Sequence, residues 1–243
     1  MRFTFRFRLV PFVAAAIAVA IGLSLGQWQT RRAAEKIAIE QKLNERQAAA
    51  AMQFNELSAL KGSALNPADI EYHRLLLKGE FLRDWPVYLD NRPHNGVAGF
   101  YLLMPFKLAG SQLHVLVARG WIPRNVADRT KMPAIVTPSG EIQIEGVARR
   151  DIGHVMQLGE VDPPRPQAIV QNLDVAGFAA ASGLQMSPIV LEQLTDTKDG
   201  LVRDWPVPST GVDKHRGYAF QWYGLAAMAF IFFVVTGIRR GTK

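Results

Sequence analysis

Leu9–Leu25 reads LVPFVAAAIAVAIGLSL and Tyr218–Ile238 reads YAFQWYGLAAMAFIFFVVTGI, and neither stretch holds a charged residue. As helices rising 1.5 Å per residue they would span about 26 Å and about 31 Å, against a hydrocarbon core of about 30 Å. They stand near the two ends of a 243-residue chain, and the short tails outside them carry its charge. Arg2, Arg6 and Arg8 precede the first stretch, Arg239, Arg240 and Lys243 follow the second, and no acid lies in either tail. With those six set aside, 22 basic residues remain against 21 acidic ones, so six of the seven net positive charges belong to the tails and the middle is nearly neutral. A basic balance of this kind does not point to nucleic acid, which needs its cations gathered on a domain face.

Cationic tails outside two apolar spans predict cytoplasmic termini, with the region between them on the other side of the membrane. Arg31, Arg32 and Lys36 run against that bias, diluted by Glu35 and Glu40. The expected layout is a cytoplasmic tail (1–8), a transmembrane helix (9–27), an extracytoplasmic domain (28–217), a second transmembrane helix (218–238) and a cytoplasmic tail (239–243). A cleaved signal peptide is the competing reading of the first span. Leu23, Leu25 and the bulky Gln27-Trp28-Gln29 make a poor cleavage site, and Trp28 stands where an interfacial anchor belongs, which favours a retained span. Little Ser/Arg-rich leader precedes it, against a mitochondrial transit peptide. Cysteine is absent, so neither disulfides nor thiolate metal sites are available.

From Gln27 to about Leu60 the chain is rich in Ala, Glu, Gln, Lys and Arg and lacks Gly and Pro, a composition that favours a helical stalk over 28–62. Lys61-Gly62-Ser63 and Asn66-Pro67 then mark a stop and a turn. Short runs rich in Val, Leu, Ile and aromatics follow: 73–81, 87–91, 100–108, 114–122, 141–148, 168–173 and 189–194. Glu141 to Val147 alternates with period two, as a half-buried strand does. Ala109-Gly110-Ser111 fits a hairpin connection. Asp174 to Ser182 reads as a short helix capped by Asp174 and stopped by Gly183. Many strands with few helices predict an antiparallel sheet or small barrel plus a few helices, an α+β membrane protein bracketed by two terminal transmembrane helices. The pentapeptide Arg-Asp-Trp-Pro-Val occurs at 83–87 and at 203–207. Its flanks do not match, so it reads as two turns whose indoles dock on the sheet or at the membrane interface.

Signals for an enzyme are poor. There is no nucleophile elbow, zincin helix, phosphate loop or dinucleotide fingerprint, and nothing nominates a catalytic residue. Of the five histidines, His73 and His114 lie in strand runs and His94 in a polar turn. His154 and Met156 form a pair that would suit copper, but two ligands are too few for a closed site. His215 stands three residues before the second span, and with Tyr218 and Trp222 it falls on one helix face by i, i+3, i+7 spacing. Lys214, Arg216 and a helix N-terminus place positive potential beside the ring, which suits the neutral imidazole that binds haem iron. The plain alternative is an interfacial histidine that caps the helix.

Several segments, in order, resemble the surfeit-locus (Shy-type) cytochrome c oxidase assembly factors. They are Leu25-Gly26-x-Trp28-Gln29-x-x-Arg32-x-x-x-Lys36, Asp90-Asn91-Arg92 with Gly96 and Gly99, Val115 to Pro123 (VLVARGWIP), Gly146-Val147, and His215-x-x-Tyr218-Ala219-x-Gln221-Trp222. The resemblance implies a two-pass protein of the bacterial plasma membrane, or of the mitochondrial inner membrane, with its main domain periplasmic or intermembrane. It implies a factor, not an enzyme, that binds haem a transiently and assists its insertion into oxidase subunit I, with haem a synthesis machinery as a further partner. His215 matches the position of a suspected haem ligand, with Tyr218 and Trp222 lining the macrocycle. Arg119-Gly120-Trp121 matches a family hallmark, for which the residues suggest a turn at Gly120, packing at Trp121, and an acid or a haem propionate for Arg119. A different class of function also fits: a membrane-tethered adaptor that holds an oxidase subunit by protein contacts without binding haem.

Overall fold

The computed structural model describes residues 3–5, 7–61, 65–125, 127–128, 132, 134–156, 163–206 and 211–240. Arg2, Arg6 and Lys243 of the cationic tails, the Gly62-Ser63 stop and Val207 of the second pentapeptide lie outside the described residues. In chain order the elements are β1 (Phe3–Phe5), α1 (Leu9–Ala48), β2 (Met52–Gln53), α2 (Phe54–Lys61), α3 (Pro67–Ile70), β3 (Arg74–Phe81), β4 (Val87–Leu89), β5 (Gly99–Leu108), β6 (His114–Pro123), β7 (Ile142–Arg149), β8 (Ile169–Val170), α4 (Val175–Ser182), β9 (Met186–Gln193), α5 (Val212–Gly237) and β10 (Ile238–Arg240). They form two units, residues 1–44 with 208–243, and residues 45–207.

The first unit is a helix pair. Helices α1 and α5 are each long and apolar enough to cross a membrane by length and composition, with mean hydropathy of 2.3 and 1.7 over their most apolar windows. Their contact is built from small residues. Gly22, Gly26, Gln29 and Ala33 are the buried positions of α1, spaced four, three and four apart so that they share one face. A β-carbon at Gly22 would come within 2.9 Å of Ala226 Cβ and of the Trp222 carbonyl, and one at Gly26 would strike the Tyr223 ring. Glycine is what lets the backbones approach, the usual device where lipid tails are as apolar as leucine. Phe12 meets Phe233 at 5.7 Å between ring centroids. Beyond the helices, β1 pairs antiparallel with β10, so the backbones of the two tails run side by side.

The second unit is a closed five-stranded barrel with additions. Strands β3, β7, β9, β6 and β5 pair in that order, and β5 returns to β3 through Gly79–Phe81 against Phe106–Leu108. Of the two architectures the strand pattern allowed, the small barrel forms. Its β6–β9 pair is parallel, because the chain between those strands runs through β7 and α4 before returning. Successive side chains divide between two cores. Leu102, Met104, Phe106, Val115, Val117, Ile144 and Leu191 fill the interior. Leu103, Leu116, Ala118 and Val190 face outward, where Phe178 of α4, Leu173 and Ile152 cover them. Strands buried on both faces lose polar alternation, which explains why β5 and β6 read as near-continuous apolar runs.

Local chemistry sets the smaller elements. Asp174 caps α4 by accepting from the Gly177 N–H at 2.6 Å, and Gly183 ends it with φ of 69°. The helix-favouring stretch up to Leu60 becomes two helices, split at residues 49–53. Met52 and Gln53 pair with Leu75 and Leu76 of β3, and Phe54 is fully buried in the barrel interior. Burying that aromatic outweighs a few residues of helix propensity.

The barrel seam depends on Gly79, where a β-carbon would collide with the Lys107 carbonyl. Gly79→Val should lower the stability of the solubilised chain by about 1–3 kcal/mol. It should also speed amide exchange at Leu82 and Ala109, which donate across the seam at 2.9 and 2.8 Å. Unchanged exchange at both amides would show that the seam tolerates the branch.

Candidate functional site

His215 lies in the first turn of α5, half-buried, and its Nδ1 stands 2.7 Å from Gln29 Oε1 on α1. Gln29 is only 8% exposed, so this hydrogen bond satisfies a polar group that the small-residue face of α1 carries into the helix contact. An amide oxygen can only accept, so Nδ1 carries the donated proton and Nε2 takes no part in this contact. Ala219 and Ala226 follow His215 on the same face of α5, buried against α1. Trp222 lies there too, half-buried, lining an apolar groove of about 540 Å³ with Ile21, Gly22, Leu225, Met228 and Phe232. Tyr218 is 53% exposed and sits to the side of this face. The structure thus brings His215 and Trp222 onto one helix face and leaves Tyr218 at its margin. Gln29 is the partner the residue pattern did not single out, although its spacing from Gly22 and Gly26 is the available signal.

The Arg119-Gly120-Trp121 segment is a β-bulge. Leu103 of β5 pairs with Ala118 but Leu102 pairs with Gly120, so Arg119 is the extra residue on β6. Gly120 has φ of 155°, and a β-carbon there would meet Leu201 Cβ at 2.7 Å. The bulge shifts the alternation of the strand. Val115, Val117 and Arg119 point inward, whereas Trp121, paired with Tyr101, points outward.

Arg119 is therefore fully buried inside the barrel, and its partner is an acid of the same unit. Its Nη2 donates to Asp199 Oδ2 at 2.7 Å and to the Val136 carbonyl at 3.0 Å, and its Nη1 donates to Thr137 Oγ1 at 2.6 Å. The guanidinium lies 4.7 Å from the Phe81 ring centroid. Asp199 also accepts from Arg203 at 2.7 Å and from Thr197 at 2.7 Å. Burial alone would push the Asp199 carboxyl up, but the hydrogen bonds from Arg203, Thr197 and the Leu201 N–H, with the Arg203 charge, hold it below its usual value. The acid, not a haem propionate, occupies Arg119. On the outer side, Trp121 Nε1 donates to the Arg92 carbonyl at 2.7 Å, and its ring lies 5.1 Å from that of His94.

The other histidines are placed structurally. His114 is buried, with Nδ1 3.2 Å from the Gln185 carbonyl, and burial pulls its pKa down. Burial, then the Arg46 charge, also lowers His73. His154 is exposed and Met156 is 88% exposed, and among the described residues no cluster of three or more His, Asp or Glu side chains could hold a metal ion. Both pentapeptide indoles dock on the outer sheet face, Trp85 against Phe178 at 5.5 Å and Trp205 against Tyr101 at 5.0 Å. On β9, Glu192 is buried with Arg149 at 3.3 Å, and burial, only partly offset by that cation, pushes its carboxyl up to about 7.

The SURF1 family profile matches residues 16–227. The SURF1-like protein of Rickettsia felis is 29% identical over 234 residues, covering 90% of this chain and 93% of that protein. The SURF1-like protein of Rickettsia bellii is 30% identical, over 84% of this chain and 80% of its own length. Surfeit locus protein 1 of Rattus norvegicus is 24% identical, over 88% and 72% respectively.

Two outcomes follow from the buried charges. Asp199→Ala leaves Arg119 without its anion and Arg203 with Asp196 alone, and should cost about 3–5 kcal/mol in denaturant unfolding of the solubilised chain. A loss below about 1 kcal/mol would mean the pair is solvated. Glu192 holds a proton in the native state between about pH 4.5 and pH 7 that the unfolded chain has released, so its contribution to stability falls as pH rises through that window. Relative to the native chain, Glu192→Gln should gain about 2–3 kcal/mol between pH 5 and pH 8. A difference that does not change with pH would place that carboxyl in its ordinary range.

Proposed function

The chain belongs to the SURF1 family, known generally as oxidase assembly factors, and on that premise we propose that it binds haem a and assists its insertion into subunit I of a haem–copper cytochrome c oxidase. The observation that supports this reading is the hydrogen bond from His215 Nδ1 to Gln29 Oε1. It fixes the ring and its tautomer, as partners of metal-binding histidines do, and it leaves Nε2 for iron. The donor chemistry fits a haem: His215 offers an imidazole, an apolar groove begins at Trp222 two turns along the same helix, and no thiolate is available.

His215 would hold the iron through Nε2, with Tyr218 and Trp222 against the macrocycle. The apolar groove beside Trp222 offers the surface a lipophilic cargo requires. Haem a supplies the redox-active iron of the oxidase, and this chain's part is to bind it and to hold His215 in one orientation until transfer. The protein would sit in the bacterial plasma membrane as a two-pass protein. Its main domain would be periplasmic and both tails cytoplasmic, as the tail cations and the β1–β10 pairing support. Oxidase subunit I and the haem a synthesis machinery are the partners this role requires.

The test is co-expression with a haem a synthesis system, followed by purification and absorption spectroscopy. His215→Ala should lose the haem while circular dichroism stays unchanged, and Gln29→Leu should weaken retention about 10–100-fold. Equal haem content in native and His215→Ala protein would remove His215 from the site. Haem missing from the native protein as well would overturn the reading in favour of an adaptor that engages the subunit by protein contacts.

A further inference from the structure

The Asp90-Asn91-Arg92 segment, which haem binding at His215 does not use, closes one end of a second site on the barrel. Arg92 is only 7% exposed, yet among the described residues no carboxylate lies within ion-pair distance of its guanidinium. Among the described residues, carbonyl oxygens and the face of the Tyr101 ring, 5.9 Å from Cζ, answer it. Nη2 donates to Gly153 at 3.0 Å and to Gln171 at 3.4 Å, Nη1 reaches the Asp90 and Asn91 carbonyls at 3.4 and 3.5 Å, and Nε is buried without a partner. A buried cation met by carbonyl dipoles and a ring face, with no anion in contact, retains most of its unbalanced charge. Such a side chain ordinarily has an anion, as Arg119 has Asp199.

Arg92 lines a cleft of about 250 Å³ together with Asp90, Asn91, Gly99, Arg124 and Gln171. Two features hold it open and in place. Trp121 Nε1 fixes the Arg92 carbonyl, and Gly99 keeps a β-carbon away from the Trp121 ring. Across the cleft, Arg124 Nη1 is 3.8 Å from Asp90 Oδ1, longer than a hydrogen-bonded pair, with both side chains partly exposed. Among the described residues that line the cleft, Arg92 and Arg124 against Asp90 leave one net positive charge.

We propose that this cleft is a binding site for a single carboxylate group. Guanidinium forks match a planar carboxylate, and one net positive charge suits a monoanion, whereas Asp90 repels a dianion such as phosphate. The volume lies below the roughly 300–1,000 Å³ of sites that enclose a whole drug-sized ligand, so the cleft takes a terminal group. A free small acid and the C-terminus of a polypeptide both present that chemistry. The site stands apart from the haem reading and does not depend on it.

The experiment uses the full chain in detergent micelles, with arginine Nε labelled by 15N, titrated at constant ionic strength with propionate, with N-acetylalanine as a peptide-terminus mimic, and with phosphate. The Nε–H signals of Arg92 and Arg124 should shift and saturate with the two carboxylates and stay still with phosphate. Tighter binding of N-acetylalanine identifies a polypeptide terminus, and equal binding a bare acid. Arg124→Gln, at a partly exposed position that leaves the core intact, should weaken carboxylate binding at least about tenfold, the scale of one charge-assisted hydrogen bond. Asp90→Asn should strengthen it and admit phosphate, a change of sign that a purely structural role for the segment would not give. No saturable shift with either acid, phosphate binding as well as propionate in the native chain, or unchanged affinity in Arg124→Gln would each overturn the proposal.

Discussion

One extra residue in β6 governs the architecture of the barrel domain. Without the bulge, Arg119 and Trp121 would share a face, and a cation and an indole would compete for the barrel interior. With it, Arg119 turns inward to Asp199 while Trp121 turns outward to the Arg92 carbonyl. The inward branch ties the strand to residues 195–203, which return beside Trp121 through paired bonds with Val202 at 2.7 and 2.9 Å. The outward branch fixes the loop that holds Arg92. Gly120 is the residue that permits both, since its backbone conformation and the closeness of Leu201 leave no room for a side chain.

The helix unit solves a similar problem by different means. Glycines at 22 and 26 bring α1 and α5 close enough that a glutamine can reach a histidine across them. In the barrel, burial of polar groups is answered by charge, through a carboxylate shared between two arginines. In the helix pair it is answered by a hydrogen bond between the Gln29 amide and the His215 ring.

The strands at 100–108 and 114–122 and the capped helix at 175–182 were legible because period, turn residues and caps are local properties. The two apolar ends were legible for the same reason. Phe54 was not, since its burial in the barrel overrides a helix-favouring neighbourhood. Asp199 was invisible within a polar linker, 80 residues from Arg119 along the chain. The hallmark Arg-Gly-Trp drew notice as a motif, but its register shift exists only relative to β5. At the candidate site, His215 was marked by its place at the mouth of the second span, whereas Gln29 gained meaning only when α1 and α5 were packed.

The sequence by itself determined the two apolar helices, the concentration of charge in the tails, the strand-rich middle and the histidine at the start of α5. These depend on composition and on contacts within a few residues. The tertiary structure decided that the sheet closes on itself, that Arg119 belongs to Asp199, that Arg92 is buried with no anion beside it among the described residues, and that His215 is oriented by Gln29. Each of these joins residues far apart in the chain, and only the packed backbone sets which side chains share a space and which charges remain unpaired.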